Sequence, residues 1–510
     1  MFSTIISGTI YGIESHMVHV EVDISPGLPC FVMTGSLGGE VKESGERVRI
    51  ALKNTGIRVP PMHISVNLSP ADLRKEGSGF DLAIAVGVLI SMERLSPECA
   101  RELLILGELG LNGEIKPVRG VLPMAVDAIK GGIRKCLVPK GNVEEAAAAA
   151  GMKAVGVSDL NQVIDYLQRP EKEQDAILPP EMIRPFHGTS GGTGDFAEII
   201  GQESAKRAAL IAAAGFHHML LMGPPGSGKT MLAKRIPTIL PPLSQKESLE
   251  LSSVYSVSGH LAAGSGLLTR RPFLSPHHTI SPQALSGGGK IPKPGVISLA
   301  HRGVLFLDEL PEFKRQTLDL LRQPLEERKI QIARSGGAFV YPADMMLVGA
   351  MNPCPCGYYP DQNKCRCTPF ERHQYLSHIS GPILDRMDLF VEMPQVKLDQ
   401  IQYGEKGESS EKMRGRVMSA RKRQEMRYQG TGYRFNSELS SGDLETYCYL
   451  GKEERKVMDK LFTTLDLSLR SYCKLVKVAR TIADLEESDG VLKHHLMEAA
   501  CYRTWDKTGR

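Results

Sequence analysis

The chain has 510 residues and a formal net charge of +4 at pH 7. That length is too great for one ordinary core and predicts roughly two to four domains. The mildly basic balance allows a nucleic-acid partner but is weaker support for one than a strongly basic chain would be. No apolar run of about 18 residues is present, so no membrane span is expected.

The first residues, MFSTIISGTIYGIESHMVHVEVDI, lack a basic segment and soon alternate like a strand, so a signal peptide is not expected. We therefore expect a cytoplasmic protein, in a compartment where thiols stay reduced. There the 10 cysteines are better interpreted as buried thiols or metal ligands than as disulfides.

Composition divides the chain into successive regions. Residues 1–168 alternate strand-like runs with helical ones and predict an α+β domain, and residues 169–194, rich in proline, glycine and charge, predict a linker. Apolar strands alternate with helices in residues 195–395, which predicts a parallel α/β sheet covered on both faces. Residues 396–510 are first polar and then predominantly helical.

The strongest motif follows the apolar segment HHMLLM and has the phosphate-binding pattern GxxxxGK[ST]. Its residues are Gly223, Pro224, Pro225, Gly226, Ser227, Gly228, Lys229 and Thr230. Gly226 and Gly228 allow backbone N–H groups to wrap the β-phosphate of ATP, and the next helix adds its positive end. We expect Lys229 to reach the β- and γ-phosphates and Thr230 to supply an oxygen to Mg²⁺.

Two further apolar strands end in polar residues. One ends in Asp308 and Glu309, which are expected to hold Mg²⁺ and to polarise the attacking water as general base, respectively. A solvated acidic turn is the alternative for this pair. The other strand ends at Asn352, whose amide could contact the γ-phosphate, although asparagine commonly ends strands as a turn former.

DFAEIIGQ, the phosphate-binding loop, the LDE carboxylates and Asn352 together resemble an AAA+ ATPase module. The phrases RPFLSPHHTIS, GVISLAHRGVLFLDEL, GAMNPCPCGYY and ISGPILDRMDL are narrower, and they resemble the magnesium-chelatase-like AAA+ proteins of the YifB/ComM family. ESGERVRIALKNTG and VNLSPADLRKEGSGFDLAIAVGVL match that family too, so the resemblance covers nearly the whole chain. It implies a multidomain α/β protein with an AAA+ core and a C-terminal α-helical lid at 396–510.

The resemblance also implies roles for single residues. Asn352 falls at sensor 1, and Arg386 falls at the arginine finger that completes a neighbouring subunit's site. Arg470 is the preferred sensor 2 arginine, with Arg480 as second choice, and ordinary salt bridges are the alternative for all of these arginines. An arginine used by a neighbour requires a ring or filament, so a homo-oligomer, in the form of a hexamer, is expected.

The chain departs from the family pattern at two places outside the ATP chemistry. Val296 stands where the family usually has an acidic residue, and Ser-Leu-Gly-Gly at 36–39 replaces a Leu-Pro-Asp-like run. These departures concern the loop before Asp308 and the surface of the N-terminal domain.

The segments KEGSGFDLAIAVGVL and LGELGLNGEIKPVRGVLPMAVDAIKGG are similar to the proteolytic domain of Lon, which has a ribosomal S5 domain 2-like fold. Lon cleaves with a serine that a lysine deprotonates. Here the serine position aligns with Gly79 and the lysine position with Leu122, and Ser78 lies one place off. We therefore expect an inactive Lon-protease-like domain that serves as a binding or assembly surface.

Two Cys-x-Cys pairs follow Asn352 directly. The cysteines are Cys354, Cys356, Cys365 and Cys367. Four thiolates can surround a tetrahedral Zn²⁺, which would hold the polar loop GYYPDQNK in place. The pattern is not the common CxxC knuckle, and reduced cysteines in a loop are the alternative. For His277 and His278 we expect loop or capping roles rather than metal binding.

Residues 328–342 alternate on both sides of Ser-Gly-Gly and predict a β-hairpin. Its place before the Asn352 strand matches the pore-lining hairpin of ring helicases. There Lys329 and Arg334 could follow DNA phosphates, and Phe339 or Tyr341 could lie near bases. A surface hairpin with solvated charges is the alternative.

Two other segments of the chain are basic, and the first of them is a second candidate for DNA contacts. The glycine-rich loop 286–295 carries Lys290 and Lys293. The basic helix around 414–427 is more typical of a solvated face or an inter-subunit surface.

These features predict an ATP-driven DNA motor, and the resemblance implies a helicase that promotes branch migration in recombination and natural transformation. One alternative is a magnesium-chelatase motor, although the DxSxS motif of its partner is absent and the Lon-like region is foreign to the chelatase motor subunit. The other is a protein remodeller whose inactive protease fold grips a client, although no Ar-Φ-Gly pore loop is evident.

Overall fold

The computed structural model describes residues 2–169, 194–289, 292–334, 337–396, 398–403 and 407–503. Nearly all of the linker predicted at 169–194, and the candidate DNA contact Lys290, lie outside the described residues. None of the helices in these ranges has both the length and the apolar character that a bilayer-crossing segment needs.

The N-terminal region is built on a large mixed sheet. Its strands are β1 (Phe2–Tyr11), β2 (Glu14–Ser25), β3 (Cys30–Thr34), β4 (His63–Ser69), β5 (Leu103–Ile105), β6 (Glu108–Leu109), β7 (Ile115–Lys116), β8 (Lys135–Pro139) and β9 (Lys153–Val157). The sheet has seven strands in the order β3-β4-β2-β1-β5-β8-β9, while β6 pairs with β7. Alternation in the sequence explains β2, in which Val18, Val20, Val22 and Ile24 are buried.

Helices cover this sheet. They are α1 (Gly39–Lys42), α2 (Ser44–Asn54), α3 (Asp81–Ser91), α4 (Val121–Lys130), α5 (Val143–Ala147) and α6 (Leu160–Gln168). Helix α3 is apolar on all sides and every one of its residues is buried, with β1 and β2 against it. Its one carboxylate, Asp81, is fully buried and accepts a 2.8 Å hydrogen bond from Arg47 Nε.

The central region contains a second sheet, which is parallel as the sequence predicts. Strands here are β10 (Met219–Met222), β11 (Phe273–Leu274), β12 (Gly287–Gly288), β13 (Lys293–Pro294), β14 (Val304–Leu307), β15 (Lys329–Arg334), β16 (Gly337–Pro342), β17 (Met346–Met351) and β18 (Leu389–Glu392). The sheet has the order β11-β14-β17-β10-β18, and every neighbouring pair runs parallel. The strands β12–β13 and β15–β16 form two separate hairpins.

Helices pack around the parallel sheet and fill the C-terminal region. Those up to residue 384 are α7 (Glu203–Gly215), α8 (Lys229–Ile239), α9 (Gln245–Ser258), α10 (Pro282–Ser286), α11 (Val296–Leu299), α12 (Arg315–Asp319), α13 (Arg322–Glu327), α14 (Pro369–Ser377) and α15 (Gly381–Leu384). Those beyond are α16 (Leu398–Tyr403), α17 (Ser410–Arg427), α18 (Leu444–Tyr447), α19 (Lys452–Leu465), α20 (Leu469–Leu485) and α21 (Lys493–Cys501). Both α17 and α20 pack on α7, so one apolar core joins the two regions.

The N-terminal region also packs on the central one. Tyr11 at the end of β1 stacks on Phe339 of β16 with ring centroids 4.4 Å apart. At a second contact, the buried Glu145 carboxylate of α5 accepts a hydrogen bond from Ser256 of α9. Glu145 also accepts the N–H of Leu122 at 3.0 Å, so the start of α4 is held at the same place.

Candidate nucleotide site and its surroundings

The phosphate-binding motif lies between β10 and α8, where a parallel sheet presents its carboxyl edge. Gly226 (φ 77°) and Gly228 (φ 92°) adopt left-handed backbone, which a residue with a Cβ rarely does. Helix α8 begins at Lys229, immediately after this turn. The loop is braced from the side by Gln202, whose Nε2 donates to the Ser227 carbonyl at 3.1 Å.

Lys229 reaches across the loop rather than into solvent. Its Nζ donates to the carbonyls of Gly223 (2.7 Å) and Pro224 (3.0 Å) and to Asn352 Oδ1 (3.1 Å). Desolvation lowers the pKa of Lys229, and the nearby charge of Asp308 partly offsets this. The buried Ser227 hydroxyl has no hydrogen-bond partner among the described residues. A partly dehydrated cation and a spare donor suit an anionic group such as a phosphate.

The carboxylates expected from the sequence lie at the same edge. Thr230 Oγ1 donates to Asp308 Oδ2 at 2.7 Å, so the two oxygens expected to serve Mg²⁺ are adjacent. The exposed residue Glu309 has φ 51°, which is uncommon for a residue with a Cβ. Asn352 follows β17, the strand between β10 and β14, and this explains how it meets Lys229.

Sequence reasoning missed the role of one histidine. His278 Nδ1 lies 3.4 Å from Glu309 Oε2, whereas His277 hydrogen-bonds to Thr279 in its own loop at 2.9 Å. Both follow β11, which pairs in parallel with β14. The carboxyl ends of parallel strands share one edge of a sheet. The position of His278 shortly after β11, within the segment RPFLSPHHTIS, was therefore the signal that could have placed it at this edge.

Arg386, the expected arginine finger, and Arg470, the expected sensor 2 arginine, lie together on the side of the sheet opposite the phosphate-binding loop. Arg386 precedes β18, and that strand runs parallel to β10, so the residue lies at the amino edge. Arg470 is in the first turn of α20, and both arginines contact Glu326. A cavity of about 740 Å³ opens beside them, lined also by Asp344 and Asp388.

Arg480, the second choice for sensor 2, has a structural environment instead. It is 3% exposed, and its Nη2 donates to Asp484 Oδ1 (2.9 Å) and to the Ser488 carbonyl (2.7 Å). These bonds lie within the C-terminal helices. Arg470, which is about half exposed, is therefore the better candidate of the two.

The four cysteines converge after Asn352. Their sulfur atoms all lie within 4.8 Å of one another, with Cys354 Sγ 3.4 Å from Cys356 Sγ and 3.8 Å from Cys365 Sγ. Zinc–sulfur bonds of about 2.3 Å in a tetrahedron require sulfurs roughly 3.8 Å apart, so the set fits this ion. The loop also touches the nucleotide site, because a Cβ at Gly357 would lie 2.6 Å from Pro225.

The predicted hairpin is present as β15–β16, beside the glycine-rich hairpin β12–β13. Lys329, Arg334 and Lys293 are exposed on these hairpins. A Cβ at Gly288 would lie 3.4 Å from Arg334 Nη2, so the Arg334 side chain at the end of β15 reaches β12.

The aromatic residues of the hairpin do not have the exposure that base contacts require. Phe339 is buried under Tyr11, and Tyr341 is fully buried, with its hydroxyl donating to the Pro292 carbonyl at 2.7 Å. The expectation that either lies near bases is therefore wrong for this conformation. The sequence could not show this, because the covering residues come from distant segments.

The basic segment around 414–427 lies in α17, and several of its arginines are engaged within the chain. Arg427 bonds to the buried Asp484, Arg416 lies 3.2 Å from Glu408, and the Arg421 guanidinium lies 4.1 Å from the centroid of the Phe435 ring. These contacts lie within the chain, and the expectation of a solvated face or an inter-subunit surface stays a prediction for the exposed residues of this helix.

The aligned protease positions carry no Ser–Lys pair. Ser78 donates to the Glu108 carboxylate, and Leu122 is fully buried. The nearby Lys75 is also buried and donates to the Pro70 carbonyl. Of the two departures from the family pattern, Val296 begins α11, and 36–39 borders a cavity of about 570 Å³.

Comparison with known proteins accounts for all three regions. Family models match residues 20–142 (Subunit ChlI of Mg-chelatase), 195–401 (Magnesium chelatase, subunit ChlI) and 407–503 (Magnesium chelatase, subunit ChlI C-terminal). Protein YifB of Salmonella typhimurium is 41% identical over 497 residues, which cover 97% of this chain and 96% of YifB. Competence protein ComM of Haemophilus influenzae is 41% identical over 495 residues, which cover 96% of this chain and 95% of ComM. The chain belongs to the YifB/ComM family.

Membership of the YifB/ComM family, with its magnesium-chelatase-type core, indicates an AAA+ ATPase. The magnesium-chelatase 38 kDa subunit of Cereibacter sphaeroides is 23% identical over 245 residues, 44% of this chain and 71% of that subunit. The description matched at 20–142 also carries a chelatase name. The expectation that this region is foreign to the chelatase motor subunit stays a prediction, and the printed description of the match runs against it.

Proposed function

We propose that this YifB/ComM protein is an ATP-dependent DNA motor, a helicase that promotes branch migration in recombination and natural transformation. The observation that carries the motor is the convergence of Lys229, Thr230, Asp308, Glu309 and Asn352 at one sheet edge. The printed name of the competence relative supports the biological setting.

In this proposal the loop 223–230 holds the phosphates of ATP, and Lys229 exchanges its carbonyl partners for phosphate oxygens. Thr230 and Asp308 would hold Mg²⁺, which when bound neutralises charge on the phosphates. Glu309 accepts a proton from the attacking water, with His278 beside it to orient its carboxylate. Asn352 orients the γ-phosphate side of the site and keeps Lys229 in place.

Arg386 and Arg470 act on the nucleotide of a neighbouring subunit. Arg386 lies at the amino edge of the sheet with Arg470 beside it, whereas the phosphate-binding loop of their own chain is at the carboxyl edge. A homo-oligomeric ring, with a hexamer as the expected size, brings one edge to the other.

DNA is proposed to contact the paired hairpins through Lys293, Lys329 and Arg334. Exposed cations on adjacent hairpins suit a phosphate backbone, which is recognised by charge rather than by sequence. Lys290 belongs to the glycine-rich loop 286–295 that also carries Lys293, and it is proposed as a DNA contact from the sequence alone.

The remaining regions are assigned supporting roles. We propose a structural Zn²⁺ at the four cysteines, holding the loop against the nucleotide site. Residues 1–168 are proposed as an inactive Lon-like domain for assembly or binding, linked through 169–194 to the AAA+ core at 195–395. Residues 396–510 then form the lid of that core.

The test is steady-state ATP hydrolysis with and without single-stranded and four-way-junction DNA. We expect DNA to raise turnover several-fold, and salt to suppress this, because phosphate contacts release counterions. Glu309→Gln is the control and should lose turnover about a hundredfold or more, since it removes the general base.

Other outcomes point elsewhere. Turnover that ignores DNA but disappears in Glu309→Gln would keep the ATPase and contradict the DNA motor. Stimulation by an unfolded protein instead would favour the remodeller, and stimulation only by a porphyrin-binding partner would favour a chelatase motor. Turnover that persists in Glu309→Gln would contradict the ATPase site itself.

A further inference from the structure

Glu326, next to the last residue of α13, is the meeting point of the two arginines. Its Oε1 atom lies 2.7 Å from Arg386 Nη2, and the same oxygen accepts a hydrogen bond from Arg470 Nη2. The three residues come from α13, from the turn before β18 and from the first turn of α20. One carboxylate oxygen thus connects the central region to the C-terminal helices.

Burial makes this contact important for Arg386 in particular. Its side chain is 10% exposed, its Nη1 donates to the Pro382 carbonyl at 2.6 Å, and its Nε has no partner among the described residues. Glu326 is the carboxylate described beside this guanidinium. Without that charge, a buried cation would rest on one carbonyl and would face the cation of Arg470.

Glu326 neutralises only part of the positive charge of Arg386 and Arg470. Two guanidinium groups and one carboxylate leave a local charge of +1. Desolvation raises the pKa of Glu326, but hydrogen bonds from Arg470 and Arg386 outweigh it and leave the pKa below its ordinary value. The carboxylate is therefore ionised at neutral pH and can hold both cations close together.

We propose that Glu326 is a positioning residue that presents Arg386 and Arg470 as a pair to the phosphates of a neighbouring subunit's ATP. Two donors on one oxygen lie within about two hydrogen-bond lengths of each other, close enough to act on one phosphoryl group. This inference rests on the proposed function, because it requires both arginines to act across the subunit interface.

The chain supplies a matched control one residue away. Glu327 is also an exposed carboxylate of α13, but it accepts a 3.1 Å hydrogen bond from Gln323 of the same helix. Glu327→Gln therefore makes the same change of charge and side chain in α13 as Glu326→Gln does. It leaves the contacts of Arg386 and Arg470 in place.

The experiment measures kcat and KM for ATP, with the thermal midpoint, in the full-length assembled protein. The variants are Glu326→Gln, Glu327→Gln, Arg386→Ala, Arg470→Ala and the double variant Glu326→Gln/Arg470→Ala. We expect Glu326→Gln to lower kcat about tenfold, the equivalent of one charged hydrogen bond. KM should stay near wild type, the thermal midpoint should fall because the buried Arg386 loses its charge partner, and Glu327→Gln should match wild type in kcat, KM and thermal midpoint.

The double variant tests the pairing itself. With Arg470 already removed, Glu326→Gln should lower kcat by a smaller factor than it does in the wild-type background, because only its contact with Arg386 is left to lose. An equal loss in both backgrounds would overturn the pairing, and so would a Glu326→Gln variant that behaves like Glu327→Gln while Arg386→Ala collapses turnover. If instead both arginine variants keep wild-type turnover, the trans assignment in the proposed function fails.

A purely structural role is separated by a second substitution. Glu326→Asp keeps the charge but shortens the reach by one methylene group. We expect it to retain the wild-type thermal midpoint and still lower kcat, since one shorter carboxylate cannot serve both arginines. Wild-type kcat in Glu326→Asp would overturn the proposal.

Discussion

Lys229 illustrates how single side chains prepare the nucleotide site. Its ammonium group bonds to two neutral carbonyls of its own loop and to the neutral Asn352 amide. Charged phosphate oxygens are stronger acceptors than these groups. The desolvation that lowers the pKa of Lys229 therefore favours an anion in the loop.

His278 provides a prediction at the residue scale. Its ring lies 3.4 Å from the Glu309 carboxylate, so His278→Ala removes the neighbour that orients the expected general base. We expect kcat for ATP hydrolysis to fall about tenfold with little change in KM. His277→Ala is the control, because His277 bonds to Thr279 instead. Equal losses in the two variants would contradict the assignment.

Among the elements, the loop between β17 and α14 combines two functions in few residues. Asn352 closes the nucleotide site, and the four cysteines gather directly after it. A backbone N–H at Tyr358 is the main cause that lowers the pKa of Cys356 to about 6. A lowered pKa favours the thiolate, which is the form that binds zinc.

The element-scale prediction concerns this loop. Purified protein should carry about one zinc per chain, and Cys365→Ser should reduce both the zinc content and the thermal midpoint. Metal analysis and thermal unfolding measure the two effects. Cys501→Ser, an exposed cysteine outside the cluster, should change neither. Wild-type protein without zinc, prepared with no chelator, would contradict the metal site.

For the whole molecule, a buried ion pair connects the central sheet to the C-terminal helices. Asp388 Oδ1 lies 2.8 Å from Lys474 Nζ, and the Asp388 carboxylate also accepts the N–H of His218 at 2.9 Å. Burial opposes the charge of Asp388, yet Lys474 and His217 hold its pKa well below the ordinary value. The stability from this pair is therefore present above the unfolded pKa and is lost as pH falls through the folded one.

Asp388→Asn tests this connection. The substitution leaves Lys474 buried without a charge partner and should cost about 3–5 kcal/mol, measured as a lower thermal midpoint. Asp388→Asn/Lys474→Met removes both charges and should recover most of that loss. Exposed Asp459→Asn should have no effect. A double variant as unstable as the single one would show that the ion pair is not the source of the stability.

The sequence by itself determined the features that depend only on residues close together in the chain. The phosphate-binding loop, the strand ending in Asp308 and Glu309, the hairpin and the cysteine spacing each occupy a short segment, so local patterns predicted them. Asn352 was expected at the nucleotide site from its position at a strand end and from the family resemblance, and it contacts Lys229 there.

Only the tertiary structure decided which distant side chains meet. Glu326 and Arg470 are 144 positions apart, and no pattern in either segment announces their contact with Arg386. Phe339 is covered by Tyr11 of the N-terminal sheet, so its ring is not part of the expected DNA surface. Such contacts arise when separately formed helices and sheets pack together, and the packing depends on apolar faces summed over many residues rather than on any one motif.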